Sequence, residues 1–219
     1  MLGEAQILAI PGGFSYGDDI SSGKIFANQL RMHLADALRD FVAAGKPIIG
    51  ICNGFQILVK AGLLPGPMDG PPAATLTHND CHRFVDRWIH LKPVSKKCIW
   101  LTDCVPLSLP IAHGEGKFVP ASEPARRMLW ELDQVALGYV HADGTPALGE
   151  FPDNPNGSVD DIAGICDSTG LVLGLMPHPE RYVDPRQHPA WTSQSPLPAV
   201  GAGLAIFQSA INYVGHGVS

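Results

Sequence analysis

The sequence predicts an α/β fold, a mostly parallel sheet flanked by helices with antiparallel strands added to it. Three observations carry this. Apolar runs at residues 6–10 and 46–51 are separated by a stretch of helical periodicity, the strand, helix, strand order of a parallel crossover. The second run passes without a linker into a new helical pattern at Cys52, so another strand-to-helix joint follows at once. Between residues 75 and 111 the chain instead breaks into strand-like pieces joined by Pro93, Asp103 and Pro106, which suits antiparallel pairing. At 219 residues and 23.3 kDa, with 45% hydrophobic residues, the chain can build one full core, and a single domain over 1–219 is expected.

Taken in order, residues 6–10 read as a buried strand that opens into the turn Pro11-Gly12-Gly13. Residues 14–24 are a polar loop. From 25 to 44 the apolar positions Leu30, Leu34, Leu38, Phe41 and Val42 recur at helical spacing, and Gly45 followed by Pro47 stops the helix. Gly50-Ile51-Cys52-Asn53-Gly54 then has the spacing of a nucleophile elbow, because small residues two before and two after the nucleophile let strand and helix backbones cross closely. Gly62 caps the elbow helix, and residues 65–74 form a Pro/Gly-rich surface loop. Strands are expected at 83–91, 98–101 and 107–112, a helix from Ser122 to about Leu132 with Ser122 as its cap, and a strand at 135–140. Asp143-Gly144 and Asn154-Pro155-Asn156-Gly157 are turns. Residues 171–176 form a second fully apolar strand that ends in Pro177-His178-Pro179-Glu180-Arg181, and Leu204, Phe207, Ile211 and Val214 mark a closing helix.

A net charge of −6 and a pI near 5.8 argue against a nucleic-acid or anionic-membrane surface. No apolar run approaches a membrane span, so the expected location is the cytoplasm. Five cysteines at irregular spacings, with no Cys-x-x-Cys pair, indicate neither a disulfide framework nor a metal site; His78, Cys81, His82 and His90 match no closed tetrahedral pattern.

The elbow sets the Cys52 thiol at a helix N-terminus, where unpaired amides and the helix dipole favour thiolate. A cysteine nucleophile needs a base, and the base an orienting partner. His178-Pro179-Glu180 supplies both, with proline neighbours that restrict the segment. His113-Gly114-Glu115 competes with identical spacing; His178 is preferred because it ends a clear buried strand. An acyl-transfer site also needs amides aimed at the oxyanion, and Asn53 together with the Gly12-Gly13-Phe14 turn are the candidates.

With these pieces assembled, the chain resembles the class I glutamine amidotransferases, whose fold is flavodoxin-like. The runs Pro11 to Asp18, Cys52-Asn-Gly-Phe-Gln56, Arg87-Trp88, Pro110 to Phe118, Asn154 to Ser158, Asp161 to Cys166 and Met176 to Arg181 narrow the resemblance to glutaminase components of phosphoribosylformylglycinamidine synthase. The resemblance implies a catalytic triad of Cys52, His178 and Glu180. It implies an oxyanion site near Gly13 and Asn53, and glutamine positioned by Gln56 and by the backbone at His113, Gly114 and Glu115. It implies L-glutamine as substrate and a cysteine thioester intermediate. Ammonia then goes to an ATP-dependent synthetase subunit, often with a small bridging subunit. No cofactor is expected in this chain, since nothing resembles a nucleotide-binding loop and ATP and Mg belong to the partner. Three departures accompany it: six residues precede Ile7 where the family has a strand, helix and second strand; residues 19–24 differ from the commoner loop; and residues 65–74 are longer than usual. Two other readings remain open on the residues alone, a stand-alone cysteine amidase on the same fold and a binding subunit left inactive by an incomplete sheet.

Overall fold

The computed structural model describes residues 2–13, 23–68 and 70–216. In chain order they form β1 (Leu8–Ile10), α1 (Lys24–His33), α2 (Ala35–Ala43), β2 (Ile48–Ile51), α3 (Asn53–Ala61), β3 (Ala74–Thr77), β4 (Val85–Pro93), β5 (Leu107–His113), β6 (Lys117–Pro120), α4 (Glu123–Glu131), β7 (Val135–Val140), β8 (Ile162–Cys166), β9 (Val172–Leu175) and α5 (Leu204–His216). Seven strands make one sheet in the order β1-β2-β9-β8-β7-β4-β5, and β3 pairs with β6 in a separate two-stranded sheet. The α/β class holds. β1, β2 and β9 are parallel, while β8, β7, β4 and β5 continue the sheet antiparallel.

Within the parallel block β2 and β9 are buried along their whole length, whereas the edge strand β1 is buried only at Ile10. Helix α3 lies on it, burying Phe55, Ile57 and Leu58 completely, each a contribution of roughly 1.5–3 kcal/mol. Glycine makes that approach possible at both ends of the interface. A Cβ at Gly54 would fall on the Ile10 carbonyl, and one at Gly174 would strike the Phe55 ring. Phe55 in turn stacks on Phe118 of β6, centroids 6.2 Å apart, which ties the small sheet to the same core.

Local stop signals behave as expected. Gly62 ends α3 in the left-handed conformation at φ 83°, and the Ser122 hydroxyl accepts from the Ala125 amide at the start of α4. Other expectations are corrected. The single helix expected over 25–44 is two, broken at Leu34 (φ −128°), because α1 faces α3 whereas α2 faces residues 2–4. Leu34 therefore leaves the apolar stripe and stays exposed. Residues 98–101 form a 3-10 turn, Ile99–Leu101, instead of a strand. Side chains there take the amides a ladder would need: Lys96 and Lys97 donate to the Asp133 carboxylate and Cys98 to the Ser95 hydroxyl. The Trp100 indole donates to Leu171 O, pinning the turn beside β9. Strands β3, β6 and β8 were not singled out by sequence pattern; β8 is buried at all five positions and shows no alternation to reveal it. The loop after α3 includes Pro65, Pro67 and Met68, which with Lys24 and Arg31 of α1 enclose a cavity of about 470 Å³.

Candidate active site

Cys52 sits between β2 and α3 with φ 52° and ψ −108°, left-handed backbone held by a non-glycine residue. Such a conformation costs on the order of 1–3 kcal/mol and persists only where its surroundings impose it. The flanking glycines show how. A Cβ at Gly50 would meet the Gly54 carbonyl and Leu58, so strand and helix cross at a spacing no other residue allows. The Cys52 amide donates to Leu175 O at 2.8 Å, extending the β2–β9 ladder up to the turn, and Sγ lies 4.0 Å from Ala112 O.

His178 follows β9. Its amide donates to Pro110 O of β5 at 2.8 Å, so the segment is anchored across the sheet. Residues Pro179–Arg181 form a 3-10 turn, and the turn brings Glu180 Oε1 to 2.6 Å from His178 Nδ1. The imidazole is buried, whereas the Glu180 side chain is 42% exposed. With Nδ1 committed to the carboxylate, Nε2 is buried without a hydrogen-bond partner. Gly12 lies against both this ring and the nucleophile: a Cβ there would lie 3.0 Å from His178 Cε1 and 3.3 Å from Cys52 Cβ. The turn before α1 thus packs directly on both side chains.

These groups open on a cavity of about 250 Å³, lined by Gly13, Cys52, Asn53, Gln56, His113, Gly114, Glu115 and His178. Every residue proposed from the sequence is therefore at or beside one cavity, with two qualifications. Glu180 supports His178 from behind, and Phe14 lies outside the described residues. The competing histidine is separated by its partner. His113 Nδ1 meets Asn79 Oδ1 at 3.1 Å, an amide, while the Glu115 carboxylate lies 3.9 Å from His78 instead. Burial first, and then the proximity of the second imidazole, His178, pushes the His113 pKa down to about 4, so the His113 ring is neutral. Gln56, one turn into α3, donates to Glu115 O at 2.6 Å and joins the elbow helix to the turn after β5.

Sequence reasoning missed Asn79, Phe84, Asp86 and Arg181. Phe84, Asp86 and Arg181 line the cavity, and Asn79 braces its wall. Arg181 stood in a motif already noted; Asn79 sat in a His-Asn-Asp stretch whose composition signals only a turn. The Asn154–Ser158 turn also proves structural, since Asn156 Nδ2 donates to Gly116 O and to the Tyr139 hydroxyl, and Ser158 Oγ accepts from the Phe118 amide.

Comparison with known proteins agrees with this arrangement. The CobB/CobQ-like glutamine amidotransferase domain family matches residues 1–214. Phosphoribosylformylglycinamidine synthase subunit PurQ of Treponema denticola is 46% identical over 95% of this chain and 82% of that protein. PurQ of Dehalococcoides mccartyi is 44% identical over 97% of this chain and 81% of that protein. Among solved structures, PurLQS of Thermotoga maritima aligns with a TM-score of 0.71 at 31% identity, covering 96% of this chain and 81% of that one. The glutaminase domain of Trypanosoma brucei CTPS, at 14% identity and a TM-score of 0.53, shares the fold. A strained cysteine elbow, a buried histidine held by a glutamate and this degree of likeness lead to one conclusion: the chain belongs to the class I glutamine amidotransferases, in the PurQ family of phosphoribosylformylglycinamidine synthase subunits.

Proposed function

We propose that Cys52, His178 and Glu180 carry out the glutaminase half of this synthase, hydrolysing L-glutamine to glutamate and ammonia. The observation that carries the proposal is the His178 imidazole, tied through Nδ1 to Glu180 while Nε2 stands buried and unpartnered beside the Cys52 elbow. Glu180 fixes the tautomer with the proton on Nδ1, which leaves the Nε2 lone pair to take the proton from Sγ. Sγ attacks the carboxamide carbon, and the oxyanion is met by backbone amides at Gly13 and Asn53. His178 returns the proton to the departing nitrogen, ammonia leaves, and a glutamyl thioester remains. Water, deprotonated by the same Nε2, then cleaves the thioester and restores the thiol.

Gln56 and the backbone of His113, Gly114 and Glu115 hold the amino-acid end of glutamine. In water near neutral pH ammonia is mostly ammonium, which is no nucleophile, so the product is handed to a synthetase subunit that uses ATP and Mg. A small bridging subunit completes the assembly. This chain itself carries no cofactor. The likeness to purine-synthesis subunits supports a cytoplasmic location, and no helix among the described residues is long and apolar enough to cross a membrane.

The test is intact-mass labelling with a glutamine-like chloroketone, with peptide mapping and competition by free glutamine. Stoichiometric, glutamine-protected modification of Cys52 is expected. Modification elsewhere, or labelling that glutamine does not slow, would refute the assignment.

A further inference from the structure

Asn79 is completely buried and makes four hydrogen bonds with its side chain. Nδ2 donates to Arg83 O and to His113 O, both at 2.9 Å; Oδ1 faces the Gly116 amide and His113 Nδ1, both at 3.1 Å. The amide can point only one way, because reversing it would set oxygen against two carbonyls and NH2 against an N–H. Oδ1 is therefore an acceptor, and the His113 nitrogen facing it must carry a proton. In a neutral imidazole the other nitrogen is then bare. That atom, Nε2, is buried with no partner. The ring occupies space that only glycine leaves open at position 116, since a Cβ there would collide with the imidazole.

We propose that Asn79 is a positioning residue of this site: its amide holds His113 as the Nδ1–H tautomer and so presents the Nε2 lone pair to the carboxamide N–H of the bound substrate. The inference rests on the glutaminase reading of the cavity and adds a specificity element to it. The carboxamide is the donor assigned, and not the α-ammonium, because the His113 ring, as distinct from the backbone that holds the amino-acid end, lies beside the reacting groups. Ala112, its neighbour on β5, brings its carbonyl to 4.0 Å from Cys52 Sγ, and the two imidazoles line the same cavity. An acceptor there favours NH2 over an ester or carboxylate oxygen at the same position, since the Nε2 lone pair and an oxygen lone pair would repel. The titratable groups that face His113 around the cavity are Cys52, His178, Asp86, Glu115 and Arg181.

The test uses the assembled synthase complex, with glutamate release as the readout. His113→Gln keeps an acceptor oxygen and His113→Leu removes it. On L-glutamine, kcat/KM of His113→Leu is expected about tenfold below that of His113→Gln, roughly the worth of one buried hydrogen bond. On glutamate γ-methyl ester, which has no N–H at that position, the gap should close. Asn79→Asp supplies a readout that a purely structural role would not move. Its carboxylate favours the imidazolium, so between about pH 6 and 8 kcat/KM of the variant acquires an acid limb additional to the one that the general base His178 gives the parent, with recovery as pH rises and Nε2 is bared. Co-elution with the synthetase and a native-like melting transition establish that each variant is folded; if His113→Leu is not, the Asn79→Asp pH profile decides alone. Equal rates for the two His113 variants on glutamine, an unchanged gap on the ester, or an Asn79→Asp profile parallel to the parent's would each overturn the inference. Absence of glutamate release from the unaltered complex would overturn the glutaminase reading itself, a distinguishable failure.

Discussion

Replacing Gly54 by Ala sets two effects of opposite sign against each other. Gly54 lies in the first turn of α3, where alanine is favoured over glycine by about 0.8–1 kcal/mol of helix propensity. The added Cβ, however, would fall on the Ile10 carbonyl oxygen and carbon and close on Pro11 O, all backbone atoms of β1 and the turn after it. Overpacking typically costs about 1–3 kcal/mol, and the upper end applies because no side chain can swing aside. The steric term wins by roughly 2 kcal/mol, which for a chain of this size lowers Tm by about 4–8 °C. Gly215→Ala is the control: the position is exposed, inside α5, and open around a new Cβ, so only propensity acts and stability is unchanged or raised by at most about 1 kcal/mol. Thermal and urea unfolding of both variants measure the difference. The same experiment should show slower labelling of Cys52 in Gly54→Ala, because the turn that moves carries Gly12 and Gly13. A Gly54→Ala protein as stable as its parent, or a Gly215→Ala protein that loses as much, would refute the close-approach argument.

Cys52→Ala should abolish glutamine-dependent synthesis by the complex while synthesis from added ammonia continues; failure of both would refute the division of labour between subunits. Glu180→Gln should lower kcat by about a hundredfold or more with little change in KM, since the His178 tautomer is no longer imposed; the loss is smaller than for a fully buried carboxylate because Glu180 is partly exposed. Steady-state glutaminase kinetics would detect it. Arg126 holds the Asp160 carboxyl below its ordinary range through two contacts of 2.7 Å, aided by the Trp130 indole. The depressed carboxylate contributes stability above its unfolded pKa of about 3.9 and loses it as pH falls through the lower folded value. Asp160→Asn is therefore expected to destabilise at pH 7 and to match the parent more closely near pH 2, as read by urea midpoints at the two pH values.

Much of the site was legible because its parts are encoded in short stretches. Gly50-x-Cys52-x-Gly54 prescribes a crossing of strand and helix that only small flanking residues permit, and the structure has that crossing with Cys52 in left-handed backbone. His178 and Glu180 stand two apart and meet through a local turn. Gly62 and Ser122 likewise end and begin their helices through contacts within a few residues.

What the sequence by itself determined is thus the set of local conformations whose physical cause lies within about one turn: the elbow, the caps, the stops and the pairing of His178 with Glu180. Tertiary structure alone decided the rest. His113 and His178 have identical spacing to a glutamate, and they differ because Asn79, thirty-four residues from His113, takes Nδ1 with an amide. The helical pattern over residues 25–44 is continuous, yet it breaks at Leu34 because its two halves pack on different partners. Residues 98–101 have strand composition and turn instead, since Asp133 claims the Lys96 and Lys97 amides just before them and Ser95 that of Cys98. Where two local conformations differ by a kilocalorie or so, a hydrogen bond or a buried face supplied from a distant part of the chain is enough to choose between them.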